Sequence, residues 1–381
     1  MPRVKPVYNG FEQGPIRPPS EAASLLLRVT RNCPWNRCTF CPVYKGAKFS
    51  LRPVEHVLRD IDTVAAQLQV LQQHQNLTYR DLDQLSRELD SGEQMAMYAA
   101  YAWLQEGVNA VFLQDANSLV VRPNDLVRIL EHLRGCFPSI ERVTSYARSQ
   151  TIDRIKFTDL QKIAAAGLNR IHVGLESGAD EVLQRVQKGT DQAMQIRAGQ
   201  KVKAVGIELS EYVMPGLGGR DLSAVHAEET AAALNLINPD FIRLRTLALP
   251  NHTDLCEQWQ SGQFIKMTDH DVAREIRRFL TALEGISSRL QSDHILNLFQ
   301  ELEGQLPDDK LGMIAVIDDF LQRPAAEQML YQVGRRLGMF SRVTDLDVPE
   351  MRQRAVMACH RYGITMENVD TRIDELMKRF I

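Results

Sequence analysis

Several features are scarce in this chain of 381 residues, and each absence excludes a class of protein. No stretch approaches the roughly 20 apolar residues of a membrane span, and the N-terminus lacks the apolar core of a signal peptide. The net charge of −3 provides no whole-chain basic surface, so no nucleic-acid partner is expected. The six cysteines fit a reducing compartment better than a disulfide framework. We therefore expect a cytoplasmic protein without a membrane partner.

Three of the six cysteines are concentrated in one segment, Cys33-Pro-Trp-Asn-Arg-Cys38-Thr-Phe-Cys41. The segment follows the apolar run 24–30, so it is expected to be a loop at the C-terminal end of a strand. Close thiolates can converge on one metal centre, and sulfur ligands favour iron–sulfur clusters or zinc. Closed zinc sites and electron-transfer clusters normally use four protein ligands. A set of three therefore indicates a centre with one position left for another ligand.

The other cysteines, Cys136, Cys256 and Cys359, stand alone and are predicted to be small buried hydrophobic side chains. Two alternatives for the loop remain open on this reasoning. A plant-type two-iron cluster would need a fourth cysteine, and the next one is the distant Cys136. A structural zinc site would need a distant histidine or cysteine. Either alternative would make the chain a non-catalytic metal protein, a structural site or an electron carrier.

Strand and helix patterns alternate after the cysteine loop. Buried strands are predicted at 108–113, 140–146, 169–175, 207–214 and 240–249, with amphipathic helices between them. Helices that separate strands at this distance require parallel pairing through right-handed crossovers. The predicted fold class is α/β, a partial parallel (βα)6-type TIM barrel, whose sites lie at the C-terminal ends of the strands.

Three parts are expected along the chain. An irregular arm rich in proline and glycine occupies 1–23, the barrel 24–285, and a mostly helical C-terminal subdomain 286–381. Helices are predicted in the last part at 308–321, 325–336, 349–361 and 367–380.

The cysteine loop after the first strand of a βα barrel resembles that of the radical S-adenosylmethionine (SAM) superfamily. Phe40 before the last cysteine matches the superfamily pattern, whereas this C-x4-C-x2-C loop has one extra residue before Cys38. Gly174-Leu-Glu-Ser-Gly178 and Met214-Pro-Gly-Leu-Gly-Gly219 are also similar to superfamily segments. The resemblance covers about residues 20–260.

This resemblance implies that Cys33, Cys38 and Cys41 hold three irons of a 4Fe–4S cluster, while SAM chelates the fourth iron. It implies an oxidoreductase or transferase that receives an electron from a reduced flavodoxin- or ferredoxin-like partner. SAM would be split reductively into methionine and a 5′-deoxyadenosyl radical that abstracts hydrogen from an unknown substrate. The catalytic residues beyond the cluster are unknown.

The resemblance also implies residues that contact SAM. Asp115 or Asn117 would bind the ammonium group, although either could form a turn or cap a helix before Pro123. Glu176 would hold ribose hydroxyls or the amine, and the backbone around Phe40 would lie against adenine. Each of these residues follows or ends a predicted strand, where barrel sites occur.

Glycines and basic residues complete the expected site. Gly216 and Gly218 would let the backbone approach SAM closely, or would only form a tight turn. Arg245 alternates with Arg243 and could bind a carboxylate, or pair with Glu208 or Glu211 of the neighbouring strand. Basic residues that could offset the cluster charge or dock an acidic donor follow the loop, namely Lys45, Lys48 and Arg52.

Overall fold

The computed structural model describes residues 7–74 and 77–378 of the chain. The strands are β1 (Leu25–Arg28), β2 (Thr30–Arg31), β3 (Ser50–Leu51), β4 (Ala110–Gln114), β5 (Arg142–Ala147), β6 (Arg170–Glu176), β7 (Glu208–Val213), β8 (Phe241–Leu244), β9 (Arg289–Gln291) and β10 (Glu303–Gln305). The helices are α1 (Val54–Gln72), α2 (Tyr79–Ser86), α3 (Ser91–Gln105), α4 (Pro123–Cys136), α5 (Ser149–Arg154), α6 (Phe157–Ala165), α7 (Asp180–Arg185), α8 (Gln192–Ala204), α9 (Ser223–Ile237), α10 (Asp254–Gln260), α11 (Asp269–Ala282), α12 (Lys310–Gln322), α13 (Ala325–Arg336), α14 (Pro349–Tyr362) and α15 (Val369–Met377).

The chain forms two compact units. The first contains the described residues of Met1–Asn36, Val43–Val173 and Lys201–Glu208. The second contains Arg37–Pro42, Gly174–Gln200 and the described residues of Leu209–Ile381. The boundaries predicted for the arm, barrel and helical subdomain remain predictions.

Parallel strands form the sheet of the first unit, in the order β1-β4-β5-β6. Leu25 pairs with Val111, and Val111 in turn pairs with Val143. All residues of β4 are buried, as expected for a central parallel strand covered on both faces. The antiparallel pair β2–β3 lies apart from this sheet, and the cysteine loop begins after β2.

In the second unit the strand order continues from the end of β6 through β7, β8, β9 and β10. Strands β7, β8 and β9 are parallel, while β10 is antiparallel to β9. Helices α12 to α15 follow, around a core that contains Phe299, Phe320, Tyr331 and Phe340. Tyr331 stacks on Phe340 at a centroid distance of 6.2 Å.

Local sequence signals explain the main elements. The buried side chains of α1 include Val57, Ile61, Val64 and Leu68, which follow the helical period. Helix α3 begins with a capping box in which Asp90 accepts hydrogen bonds from backbone N–H groups of the first turn. The prediction of an α/β fold with parallel strands is confirmed. Short helices α2, α5, α7 and α10 and strand β10 had not been predicted, because segments of a few residues show no full period.

The cysteines outside the loop differ in burial. Cys256 and Cys359 are buried, as predicted, whereas the prediction for Cys136 is wrong because its side chain is only half-buried at the end of α4. In the two described ranges, no helix combines the length and the apolar character needed to cross a membrane.

Candidate functional site

All three cysteines of the loop are half-buried and none forms a disulfide. Cys33 belongs to the first unit, and Cys38 and Cys41 belong to the second. Three cysteine thiols on one loop are the donors that an iron–sulfur cluster needs, so the residues present fit a 4Fe–4S cluster with one iron left for another ligand.

Asparagines shape the part of the loop that lies in the first unit. Asn32 and Asn36 adopt the left-handed backbone conformation, with φ of 67° and 49°, which asparagine tolerates better than most residues. The backbone N–H of Asn36 donates to Sγ of Cys33 over 3.4 Å, and its side-chain amide donates to the carbonyl of Tyr44 over 2.5 Å. These bonds turn the chain around Cys33 and direct a hydrogen-bond donor to its sulfur.

Asp115 is fully buried and connects both ends of the cysteine loop within the first unit. Its Oδ2 accepts hydrogen bonds from Nη2 of Arg28 over 2.7 Å and from the backbone N–H of Asn32 over 3.1 Å. Its Oδ1 accepts from the hydroxyl of Tyr44 over 2.9 Å. Burial, followed by the nearby Asp115 charge, raises the pKa of Tyr44, so the phenol keeps its proton and remains a donor.

Asn117 lies behind Asp115 in the same unit and is also buried. Its side-chain amide donates to Oγ1 of Thr151 over 2.8 Å. Its carbonyl oxygen Oδ1 is buried and accepts no hydrogen bond from the described residues. A buried acceptor without a donor is costly, and a ligand that brings a donor would satisfy it.

In the second unit, Phe40 packs in a buried apolar cluster with Val186, Met214 and Leu255, among others. Cys38 and Cys41 pack against the same cluster. The backbone N–H of Thr39 donates to the carbonyl of Val186 over 3.0 Å, and the N–H of Leu255 donates to the carbonyl of Thr39 over 3.0 Å. The backbone between these cysteines is therefore fixed on both sides.

Glu176 ends β6 with φ of 64°, a conformation that a glutamate rarely adopts and that is enriched at functional sites. Nζ of Lys188 lies 3.0 Å from its Oε1 and 5.9 Å from the ring centroid of Phe40. Gly174 makes room for this pair, because a Cβ there would lie 2.3 Å from Oε1 of Glu176. The structure thus brings Phe40 and Glu176 together through Lys188, which sequence reasoning missed.

Glu211 on β7 is a second acid in this neighbourhood. It is 1% exposed, and its Oε2 has no hydrogen-bond partner among the described residues. Burial raises its pKa well above the ordinary value of 4.5, with a contribution from Glu176 that Lys188 opposes. Burial therefore favours the protonated form of Glu211 over its charged form.

The raised pKa of Glu211 predicts a pH-dependent stability. Between pH 4.5 and the raised pKa, folded Glu211 binds a proton that the unfolded chain lacks, so its contribution to stability is complete below pH 4.5 and is lost as the pH rises through the raised pKa. We expect Glu211→Gln to abolish this loss, so that the stability gain of the variant over wild type grows as the pH rises. Urea unfolding of the chelator-treated, reduced chains from pH 5 to 8 measures the difference in the free energy of unfolding between variant and wild type. Parallel stability curves for the two proteins would contradict the assignment.

The glycine-rich turn after β7 is held by the protein itself. Gly216 has φ of 89°, and its N–H donates to Oε1 of the buried Glu275 over 2.7 Å. The carbonyl of Gly218 accepts a hydrogen bond from Nη1 of Arg185 over 2.9 Å. A Cβ on Gly218 would lie 3.0 Å from the carbonyl oxygen of Leu222, so close packing requires glycine there.

The two arginines after β7 have different environments. Arg243 is buried and pairs with Asp293 over 2.7 Å, so the predicted partners Glu208 and Glu211 are wrong for it. Arg245 lies beyond the end of β8 and is exposed, because the alternation of a strand does not extend past Leu244. Arg52 is not available to dock an electron-donor protein, since it is buried and its Nη1 lies 2.5 Å from Oδ2 of Asp60.

A parallel α/β fold with three cysteines on one loop, none of them in a disulfide, defines an α/β protein with the donors for a sulfur-ligated metal centre. The family model of the Radical SAM superfamily matches residues 27–228. This is more than half of the chain, and the chain belongs to the radical SAM superfamily.

Two curated relatives and one solved structure show how far the similarity extends. The tRNA uridine(34) acetyltransferase of Methanocaldococcus jannaschii is 21% identical over 263 residues, which is 66% of this chain and 47% of that protein. The 4'-phospho-dehydrooxetanocin synthase of Priestia megaterium is 26% identical over 255 residues, which is 63% of this chain and 31% of that protein. Coproporphyrinogen III oxidase (HemN) from Escherichia coli is 15% identical with a TM-score of 0.43, covering 64% of this chain and 49% of that one.

The chain spans less than half the length of the curated relatives it matches. Membership of the superfamily confirms the predicted class of enzyme, with SAM and a 4Fe–4S cluster as cofactors, and does not favour the zinc or electron-carrier alternative. Enzymes of this superfamily need a reductant and a substrate.

Proposed function

We propose that Cys33, Cys38 and Cys41 bind a 4Fe–4S cluster whose remaining iron binds SAM. When the cluster receives one electron, the bound SAM would be cleaved into methionine and a 5′-deoxyadenosyl radical. This radical would abstract hydrogen from a substrate. The observation that carries the proposal is the loop of three cysteines, none in a disulfide, inside the segment that matches the superfamily. The protein's own part is to hold both cofactors, orient SAM and exclude water from the reacting atoms.

Asn117 is the better of the two candidates for the SAM ammonium group. Both oxygens of Asp115 already accept hydrogen bonds, whereas Oδ1 of Asn117 is buried and meets no donor from the described parts of the chain. An ammonium group would supply the missing donor and make a charge-assisted hydrogen bond. Asp115 would instead hold the cysteine loop in place.

We expect Asn117→Ala to weaken SAM binding about 10–100-fold, because a hydrogen bond to a charged group contributes roughly 1.5–3 kcal/mol. The iron content should stay unchanged, and titration of the cluster-loaded chain with SAM measures the affinity. Thr151→Val is the matched control, since it removes the hydrogen bond to the Asn117 amide and leaves Oδ1 intact. An equal loss of affinity in both variants, or no loss in Asn117→Ala, would contradict the assignment.

Glu176 and the backbone around Phe40 would bind the nucleoside part of SAM. Lys188 lies beside both residues, so it can hold the Glu176 carboxylate in a fixed position to accept from ribose hydroxyls. Glu211 nearby adds a buried oxygen that has no hydrogen-bond partner among the described residues. Gly216 and Gly218 would shape the adjacent turn, and the exposed Arg245 would reach a carboxylate of SAM or of the substrate.

The electron donor is proposed to be a reduced flavodoxin- or ferredoxin-like protein. The loop after Cys41 carries Lys45 and the exposed Lys48, which would attract an acidic donor surface. The substrate cannot be taken from the relatives, because the name of one refers to a tRNA uridine and that of the other to 4'-phospho-dehydrooxetanocin. We therefore propose the SAM chemistry without assigning a substrate.

An assay that needs no substrate tests the proposal. The chain is reconstituted anaerobically with iron and sulfide, mixed with SAM, and assayed for 5′-deoxyadenosine with and without dithionite. We expect about four irons per chain and 5′-deoxyadenosine only when the reductant is present. A colourless protein that carries one zinc on the loop cysteines and releases no 5′-deoxyadenosine would overturn the proposal.

A further inference from the structure

Three potential metal ligands meet on the surface of the first unit, on helices α1 and α4. Asp62 lies on α1, while His132 and Cys136 lie one turn apart on α4. Oδ1 of Asp62 is 2.7 Å from Nε2 of His132, and Sγ of Cys136 is 3.7 Å from the same nitrogen. The Sγ and Oδ1 atoms are 3.9 Å apart. These atoms thus form a closed triangle.

The triangle matches one face of a tetrahedral zinc site. Bonds of about 2.3 Å to sulfur and about 2.0–2.2 Å to nitrogen and oxygen place tetrahedral ligands about 3.4–3.6 Å apart. The two distances that involve sulfur already lie near this range. The Asp62–His132 separation is shorter because those two groups now share a hydrogen bond, and a metal between them would widen it.

The direction of the contacts distinguishes a metal site from a catalytic relay. In a relay of cysteine, histidine and aspartate, the thiol and the carboxylate contact opposite nitrogens of the ring. Here both Cys136 and Asp62 approach Nε2 of His132. The three atoms therefore converge on one point, as ligands of an ion do, and cannot pass a proton through the ring.

A second bridge holds the two helices in register. Glu55 on α1 and Arg128 on α4 form a bidentate ion pair with distances of 2.7 Å and 3.1 Å. Arg128 precedes His132 by one helical turn, so the bridge lies beside the triangle on the same helix faces. The ligands are thus presented by rigid elements, which favours a defined site.

The site is accessible and has space on one side. Asp62 is exposed, and His132 and Cys136 are half-buried. Cys136 also lines a surface depression of about 480 Å³, together with Phe137 and Ser139. An ion can therefore enter without unfolding, and a water molecule can complete its coordination.

We propose that this triangle is a second metal site, which binds one zinc ion through Oδ1 of Asp62, Nε2 of His132 and Sγ of Cys136, with water as the fourth ligand. A mixed sulfur, nitrogen and oxygen donor set suits zinc rather than magnesium or calcium. The cysteines of the loop take no part in it, so it is independent of the proposed SAM chemistry.

The test uses the anaerobically cluster-loaded chain, so that iron occupies the loop cysteines. After equilibration with one equivalent of zinc and gel filtration, we expect about one zinc beside about four irons. Zinc X-ray absorption should show one sulfur near about 2.3 Å and nitrogen or oxygen ligands near about 2.0–2.2 Å. Iron analysis and 5′-deoxyadenosine release are recorded in parallel and should not change.

Matched variants decide the ligand set. His132→Ala and Cys136→Ala should each lose more than about 100-fold in zinc affinity, above the loss typical of an outer-shell partner. Cys359→Ala, which removes a buried cysteine elsewhere, should keep the zinc. Asp62 is exposed, so Asp62→Ala should weaken binding in a folded protein. No retained zinc in wild type, full retention in His132→Ala, or a shell of sulfur alone would overturn the proposal.

Discussion

Replacement of Cys38 by alanine is expected to abolish reductive cleavage of SAM. Loss of an outer-shell partner costs a metal site roughly 10–100-fold, and loss of one of three thiolate ligands should cost more. The half-buried Cys38 packs against the apolar cluster that contains Phe40. We expect 5′-deoxyadenosine release below detection, together with a large loss of iron and of the broad visible absorbance.

Cys256→Ala is the stringent control for this prediction. Cys256 lies in the apolar cluster against which Cys38 and Cys41 pack, so its replacement perturbs the same surroundings without removing a proposed ligand. Cys256→Ala should retain iron and SAM cleavage. Cleavage that survives in Cys38→Ala, or is lost equally in Cys256→Ala, would contradict the assignment of the loop cysteines as cluster ligands.

Changes at Asp115 and Tyr44 are expected to lower the cluster content although neither residue is a proposed ligand. Asp115 accepts hydrogen bonds from the N–H of Asn32 before the first cysteine and from the hydroxyl of Tyr44 after the last. Asp115→Asn removes the charge that Arg28 pairs with, so the loop loses its buried anchor. We expect cluster affinity to fall about 10-fold or more, as for other outer-shell partners.

Tyr44→Phe is the milder variant, because it removes one hydrogen bond and leaves the Arg28–Asp115 pair. Its cluster content should lie between those of wild type and Asp115→Asn. Tyr101→Phe is the matched control: Tyr101 is also mostly buried in the first unit, and its hydroxyl donates to the carbonyl of Leu77 over 3.0 Å. Iron content per folded chain measures the effect. Equal iron in Asp115→Asn and wild type would show that this anchor is not needed.

The fold could largely be predicted from the sequence because its signals are local. Apolar runs such as 108–113 and the helical period of α1 report burial directly, and the cysteine loop reveals its chemistry through residue type and spacing. Arg243 and Arg245 show the limit of this reasoning. Pairing with the neighbouring strand decides where a strand ends. Strand β8 ends at Leu244, so Arg243 lies on the strand and Arg245 does not.

The contacts of the site that the sequence did not predict join residues that are distant in the sequence. Arg28 and Asp115 are 87 residues apart in the sequence. No local pattern indicates that Tyr44 contacts Asp115 or that Lys188 contacts Glu176. The His132–Cys136 spacing of one helical turn was visible, whereas Asp62 comes from another helix. Long-range packing decides such contacts, and the pattern of a single segment does not contain them.

The central claim is that one iron of the cluster has no protein ligand and binds SAM. Electron–nuclear double resonance on the reduced, cluster-loaded chain with SAM labelled isotopically in its amino and carboxylate groups tests this directly. The account predicts hyperfine coupling from both labels to the cluster. Absence of any coupling, together with a fourth protein ligand on the cluster, would contradict it.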